Sequence, residues 1–240
     1  IPNITGIIIM MILVGGIVFF GSTLIEKLLS FWSILLYCVF AVMFFAVFSK
    51  FGNTISDNFQ YQTNDSSWMM GGIKYAAYNI GLAPAILFCV RHIETKKEAI
   101  ISGLIAGAMG MIPALLMFVA MLSQYPDVLE AAVPVNTVLN QLGWVEFKLI
   151  FQIVLFGTFI ETGVGLIHGF NERIAVVHQG LTNQWRTCIA ICLFLVSIFL
   201  ANAIGLIGLI AKGYGALTWG YWIVFVIPIL TIGLRKVVKI

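Results

Sequence analysis

Charge is what this chain lacks most. Of its 240 residues only 10% are Asp, Glu, Lys or Arg, whereas soluble domains carry roughly 25%; an ordinary water-soluble domain is excluded. The 13 basic and 10 acidic residues leave a net charge of +3, spread along the chain without a basic tract, which excludes nucleic acid as a partner. Cysteine is down to four. Cys38, Cys89, Cys188 and Cys192 lie within or at the ends of apolar segments, without the paired spacing of a metal site or the setting of a disulfide framework. Cys188 and Cys192, four residues apart, supply at most half a soft-metal site. There is no HExxH pair, no Gly-x-Asp inside an apolar run and no Ser–His arrangement, so no enzyme and no cofactor are expected. The opening IPNITGIIIMMILVGG has neither a methionine nor basic residues ahead of its apolar run, which does not match a signal peptide; the expectation is the later part of a longer protein.

What is present is apolar: 61% of residues are hydrophobic and the mean hydropathy is +1.05. A membrane-crossing helix needs about 20 mostly apolar residues, and seven segments qualify: Ile4–Ile25, Phe31–Phe48, Trp68–Val90, Ala99–Leu122, Phe147–Phe170, Thr187–Ile207 and Leu217–Leu234. They predict an all-α polytopic membrane protein, with residues 1–240 as a single transmembrane domain. Two connections exceed turns, SKFGNTISDNFQYQTNDSS before the third span and SQYPDVLEAAVPVNTVLNQLGW after the fourth. In the second, the apolar pattern Val135 to Leu142 predicts a short helix lying across one face. Lys and Arg gather in cytoplasmic loops. Lys27, Arg91, Lys96, Lys97, Arg173, Arg186, Arg235, Lys236 and Lys239 fall after spans one, three, five and seven, and the alternate loops hold only Lys50 and Lys212. This places the C-terminus in the cytoplasm and residue 1 outside, in a multi-pass protein of the cell membrane. Lys74 and Lys148 are set to snorkel from span ends.

Two spans carry polar groups that a lipid-facing helix avoids. In GGIKYAAYNIGLAPAILF, Pro84 removes a donor and displaces the carbonyl of Ile80, and Asn79 and Gly81 flank that carbonyl. The expected result is a discontinuous helix whose freed backbone faces protein, water or a solute. Tyr75, Tyr78 and Asn79 share the adjoining face. A proline kink that serves packing alone is the other reading. In FGTFIETGVGLIHGF, Glu161 is the only carboxylate deep in an apolar segment, where a charge costs about 2.5–3.5 kcal/mol. Thr158, Glu161, Thr162, Gly165 and His168 follow helical spacing along one face. That stripe can exchange a proton at Glu161, or offer the hard oxygens Na⁺ requires; a protonated, structurally bonded Glu is the third reading. His168 reads as a packing or boundary histidine. Ser197 and Asn202 read as helix-to-helix glue, Pro113 and Pro228 as ordinary kinks, and Gly103, Gly107 and Gly110 as a close-packing face.

The elements YAAYNIGLAPAIL, RHIETKKEAI, PDVLEAAVPV and FGTFIETGVGLIHGFNERI together resemble the YkvI-type membrane proteins, relatives of the amino acid-polyamine-organocation transporters. The resemblance runs from about Trp68 to Ile174 and more weakly to the C-terminus. It implies a LeuT-type fold of inverted five-helix repeats, of which this chain would hold the last two helices of the first repeat and all of the second. By resemblance, the third span is similar to the broken helix that opens the second repeat, and Tyr75, Tyr78, Asn79, Ile80, Gly81 and Pro84 would line a solute site. Thr158, Glu161 and Thr162 would face a coupling H⁺ or Na⁺. The first repeat's own broken helix is missing from this sequence. The implied function is a secondary transporter, or symporter, of a small polar solute such as an amino acid or amine; the alternative is a membrane solute sensor of the same fold without net transport. Expected partners are that solute and the lipid bilayer, with self-association into a homo-oligomer left open. A channel has thin support, because one carboxylate does not make a ring.

Overall fold

A computed structural model describes residues 3–19, 22–60, 68–80, 83, 90, 92–131, 133–178, 180–204, 208, 213 and 215–238. Among the described residues the chain is all-helical. In order, α1 is Asn3–Phe19, α2 Ser22–Phe59, α3 Trp68–Ile80, α4 Lys96–Leu122, α5 Pro134–Leu142, α6 Val145–Val177, α7 Asn183–Ile204 and α8 residues 215–238, with a 3₁₀ turn at Asp127–Leu129 between α4 and α5. Five helical stretches are long and apolar enough to cross a membrane: Ile25–Phe59, Lys96–Leu122, Val145–Val177, Asn183–Leu200 and Leu217–Lys236. The protein is thus a multi-pass membrane protein by helix length and hydropathy.

These five stretches overlap the second, fourth, fifth, sixth and seventh of the expected spans. Of the first expected span, Ile4–Ile25, residues 4–19 lie in α1 and 22–25 in α2, while residues 20 and 21 lie outside the described residues. The polar connection after Phe48 is helical as far as Phe59, so α2 is 38 residues long, with non-helical geometry at Phe51 (φ −120°, ψ 16°) beside Gly52. The third expected span is helical over Trp68–Ile80, and its remainder, apart from Ala83 and Val90, lies outside the described residues.

Helix ends follow local chemistry. Thr95 and Glu98 form a reciprocal cap on α4: Glu98 N–H donates to Thr95 Oγ1 at 3.2 Å, and Glu98 Oε2 accepts from Thr95 N–H at 3.3 Å and from Glu94 N–H at 3.1 Å. The short helix expected at Val135–Leu142 is α5. Pro134 starts it, where a missing N–H costs nothing, and Gly143 stops it with a left-handed φ of 77°. Its Val135, Val138, Leu139 and Leu142 are buried on one face, at about 1.5–3 kcal/mol for each large side chain withdrawn from water.

Residues Ile1–Ile25, Asp65–Val90 and Thr162–Ile240 form one compact unit, and Glu26–Asn64 with Arg91–Glu161 form another. In the second, the buried face of α5 joins Val39, Met43 and Val47 of α2, Ala120 of α4 and Phe151 and Val154 of α6 in one core. Lys50 Nζ donates to the last carbonyls of α5, Gln141 at 2.7 Å and Leu142 at 3.0 Å, and Lys148 Nζ donates to Asn140 Oδ1 at 2.6 Å. Pro113 lies inside α4 and deprives the Met109 carbonyl of its helical N–H partner. The Tyr37 hydroxyl of α2 donates to that same oxygen at 2.9 Å, so the deficit left by proline is made good from a neighbouring helix.

In the first unit, α1 packs along α7, and α3 packs against the start of α8. Val14 of α1 lies against Gly163, and an added Cβ there would stand 3.4 Å from the valine. The ends of α6 and α7 are tied by Arg186 Nη1, which donates to Glu172 Oε1 at 2.6 Å, and by Asn171 Nδ2, which donates to the Arg186 carbonyl at 3.2 Å. Pro228 is more than a kink. Wide π-helical turns flank it at Trp222–Val226 and Ile229–Gly233, and the Ile227 N–H reaches back five residues to Trp222 O. A proline that cannot donate to the carbonyl four residues earlier leaves the ladder free to adopt that wider pairing.

Candidate functional site

Among the described residues, side chains of α2 and the first half of α6 meet in a polar seam inside apolar stretches. Gly157 creates it. A Cβ on that residue would lie 1.8 Å from Cζ2 and 2.2 Å from Cε2 of Trp32, so the indole occupies the place where a side chain would otherwise be. From there Trp32 Nε1 donates to the Val154 carbonyl at 3.1 Å, and Thr158 Oγ1 donates to the same oxygen at 3.0 Å. Of these two donors on one carbonyl, the indole joins α2 to α6, and the threonine bond stays within α6.

One residue after Trp32, Ser33 faces Glu161. The Ser33 hydroxyl lies 2.8 Å from the Leu29 carbonyl oxygen and 3.3 Å from Glu161 Oε1, both within donating reach. Glu161 and Thr158 are half-buried, and Thr162, next along α6, is exposed. Among the described residues the group bonded to Glu161 is this hydroxyl and not a cation. A carboxyl so placed is costly as an isolated anion in hydrocarbon, and can be held neutral, exchange its proton, or contribute one oxygen to a cation's shell. Trp32 and Ser33 were not singled out in the sequence; the available signal was a serine and a tryptophan side by side in an apolar run, with Glu161 in need of a partner from another helix.

The residues expected to line a solute site belong to the first unit. α3 keeps helical geometry through Asn79 and Ile80. Asn79 Nδ2 donates to the Tyr75 carbonyl one turn back at 2.8 Å, a local bond that keeps this donor on its own helix. Tyr75, Asn79 and Ile80 are exposed, and Ala77 is buried. The side chain of Tyr78, and Gly81 and Pro84 altogether, lie outside the described residues, and with them the expected opening of the helix. His168 is completely buried, with Nε2 3.8 Å from Glu172 Oε1, a setting that suits the packing role expected of it. Ser197 donates to Leu193 O on its own helix, and the Asn202 side chain lies outside the described residues. Gly103, Gly107 and Gly110, expected to permit close packing, have nothing within 4 Å of an added Cβ among the described residues. Cys38, Cys188 and Cys192 are free and exposed, and no group of three metal-ligating side chains occurs among the described residues.

Searches among known protein families, curated proteins and solved structures return no match for this chain.

Proposed function

We propose that this chain is the membrane domain of a secondary transporter, moving a small polar solute of the amino acid or amine type across the cell membrane by alternating access, coupled to H⁺ or Na⁺. The observation that carries the reading is Glu161, a half-buried carboxyl in the middle of a 33-residue apolar helix, held by a serine hydroxyl and not by a cation. A carboxylate costs about 2.5–3.5 kcal/mol at that depth; one held only by a neutral hydroxyl is suited to taking up and giving up a positive charge. In this reading the LeuT-type arrangement implied by the resemblance is the fold. Tyr75, Tyr78, Asn79, Ile80, Gly81 and Pro84 contact the solute at a discontinuous helix, Thr158, Glu161 and Thr162 serve the coupling ion, and the distribution of Lys and Arg sets the C-terminus in the cytoplasm.

The test is reconstitution into liposomes under an imposed proton or sodium gradient, with accumulation of labelled amino acids and polyamines as the readout. The expected result is gradient-driven accumulation that Glu161→Gln abolishes while the protein remains inserted and folded. Undiminished uptake by that variant would take Glu161 out of the mechanism. Binding without accumulation under either gradient would replace transport with sensing.

A further inference from the structure

Ser33 has more to do than hold a carboxyl in place. Its oxygen lies 2.8 Å from Leu29 O and 3.3 Å from Glu161 Oε1, yet a serine hydroxyl owns a single hydrogen and two lone pairs. A backbone carbonyl can only accept. When Glu161 is neutral it brings a hydrogen of its own, and both contacts are then satisfied in sequence: the carboxyl O–H donates to Ser33 Oγ, and the Ser33 O–H donates to Leu29 O. When Glu161 has lost its proton both of its oxygens can only accept. The arrangement holds then only if the Ser33 hydrogen turns to the carboxylate. Energetics favour the turn, because a hydrogen bond to an ionised group contributes roughly twice what a neutral one does, and the Leu29 carbonyl keeps the N–H of its own helix.

We propose that Ser33 is a positioning residue for an exchangeable proton on Glu161, a hydroxyl that reverses its donation as the carboxyl loads and unloads. The idea rests on the reading that Glu161 is the coupling carboxyl and deepens it by assigning the group that holds it in both states. On unloading, the carboxyl O–H bond breaks, its electron pair stays on the carboxylate and the proton passes to water. Ser33 keeps its own hydrogen throughout and only rotates about Cβ–Oγ. The neighbouring contact supports this geometry: Trp32, seated against Gly157 and bonded to Val154 O, fixes the spacing of α2 and α6 beside the pair, so the carboxyl meets the same hydroxyl before and after exchange.

Infrared difference spectroscopy of the intact protein in liposomes, stepped between acid and alkaline buffer, reads this directly. The carboxyl C=O band lost in Glu161→Gln identifies Glu161. Ser33→Ala is expected to shift that band to higher frequency, as a carboxyl loses the acceptor of its O–H, and Ser33→Thr, which keeps the hydroxyl, is expected to return it toward the parent position. A band that Ser33→Ala leaves in place would overturn the proposal, and so would the lack of any Glu161-dependent band across the pH range, since the carboxyl would then hold no exchangeable proton. The two readings separate cleanly. Uptake that ignores Glu161 together with a Ser33-dependent band sinks transport coupling alone; uptake that requires Glu161 together with an immobile band sinks the Ser33 assignment alone.

Discussion

Tyr37 should matter because of what Pro113 leaves undone. Pro113 has no N–H for the Met109 carbonyl, and the Tyr37 hydroxyl, 2.9 Å from that oxygen, supplies the missing donor. Removing the hydroxyl alone, Tyr37→Phe, forfeits the bond and leaves an acceptor unsatisfied where water is scarce, which together cost about 1–3 kcal/mol. Restoring the backbone donor with Pro113→Ala should make that hydroxyl nearly redundant. In the Pro113→Ala background Tyr37→Phe should cost less than about 1 kcal/mol, since the residue 113 amide now closes the helical bond. The four proteins, unfolded by SDS from mixed micelles and followed by tryptophan fluorescence, give a double-mutant cycle with an expected coupling of about 1–2 kcal/mol. Equal penalties for Tyr37→Phe in the two backgrounds would refute the reasoning, because the hydroxyl would then be acting on something other than the proline's orphaned carbonyl.

The remaining predictions concern the same unit. Gly157→Ala forces the Trp32 ring from 1.8 Å to at least the 3.4 Å of ordinary contact, overpacking the seam and straining the indole's bond to Val154; the expected loss is about 2–4 kcal/mol, measured in the same unfolding assay and largely relieved by Trp32→Ala. Lys50→Met keeps the apolar stem but removes the ammonium from the C-terminal carbonyls of α5, at an expected cost of about 1–2 kcal/mol. Hydrogen exchange should show faster amides over residues 134–142 with α4 unchanged; equal protection in both helices would count against the cap.

Some of this was legible from residues alone, for physical reasons that differ by element. α5 could be read because a proline at its start, an apolar residue every third or fourth position and a glycine at its end are local signals that agree. Glu161 could be read because a carboxylate in an apolar run is expensive wherever the chain goes. Ser33 could not, because its meaning depends on a partner 128 residues away. Locally it behaves as Ser30, Ser197 and Thr231 do, each of which donates to the carbonyl four residues back, so nothing along the chain marks it as different. Trp32 was concealed in the opposite way. A glycine 125 positions later, at Gly157, is what makes room for it, and a vacancy is the hardest thing to see in a string of letters.

The widened turns on either side of Pro228 alter how the last helix should be drawn. A turn closed by a bond to the fifth residue back holds more residues than one closed to the fourth, so each residue rotates by less than about 100° and every side chain after such a turn lags behind the regular count. A wheel plotted at a constant 100° per residue from Trp219 therefore assigns Leu234 and Arg235 to the wrong azimuth. Substitutions meant to probe a lipid-facing stripe at the chain's end must be chosen from observed geometry and not from counting.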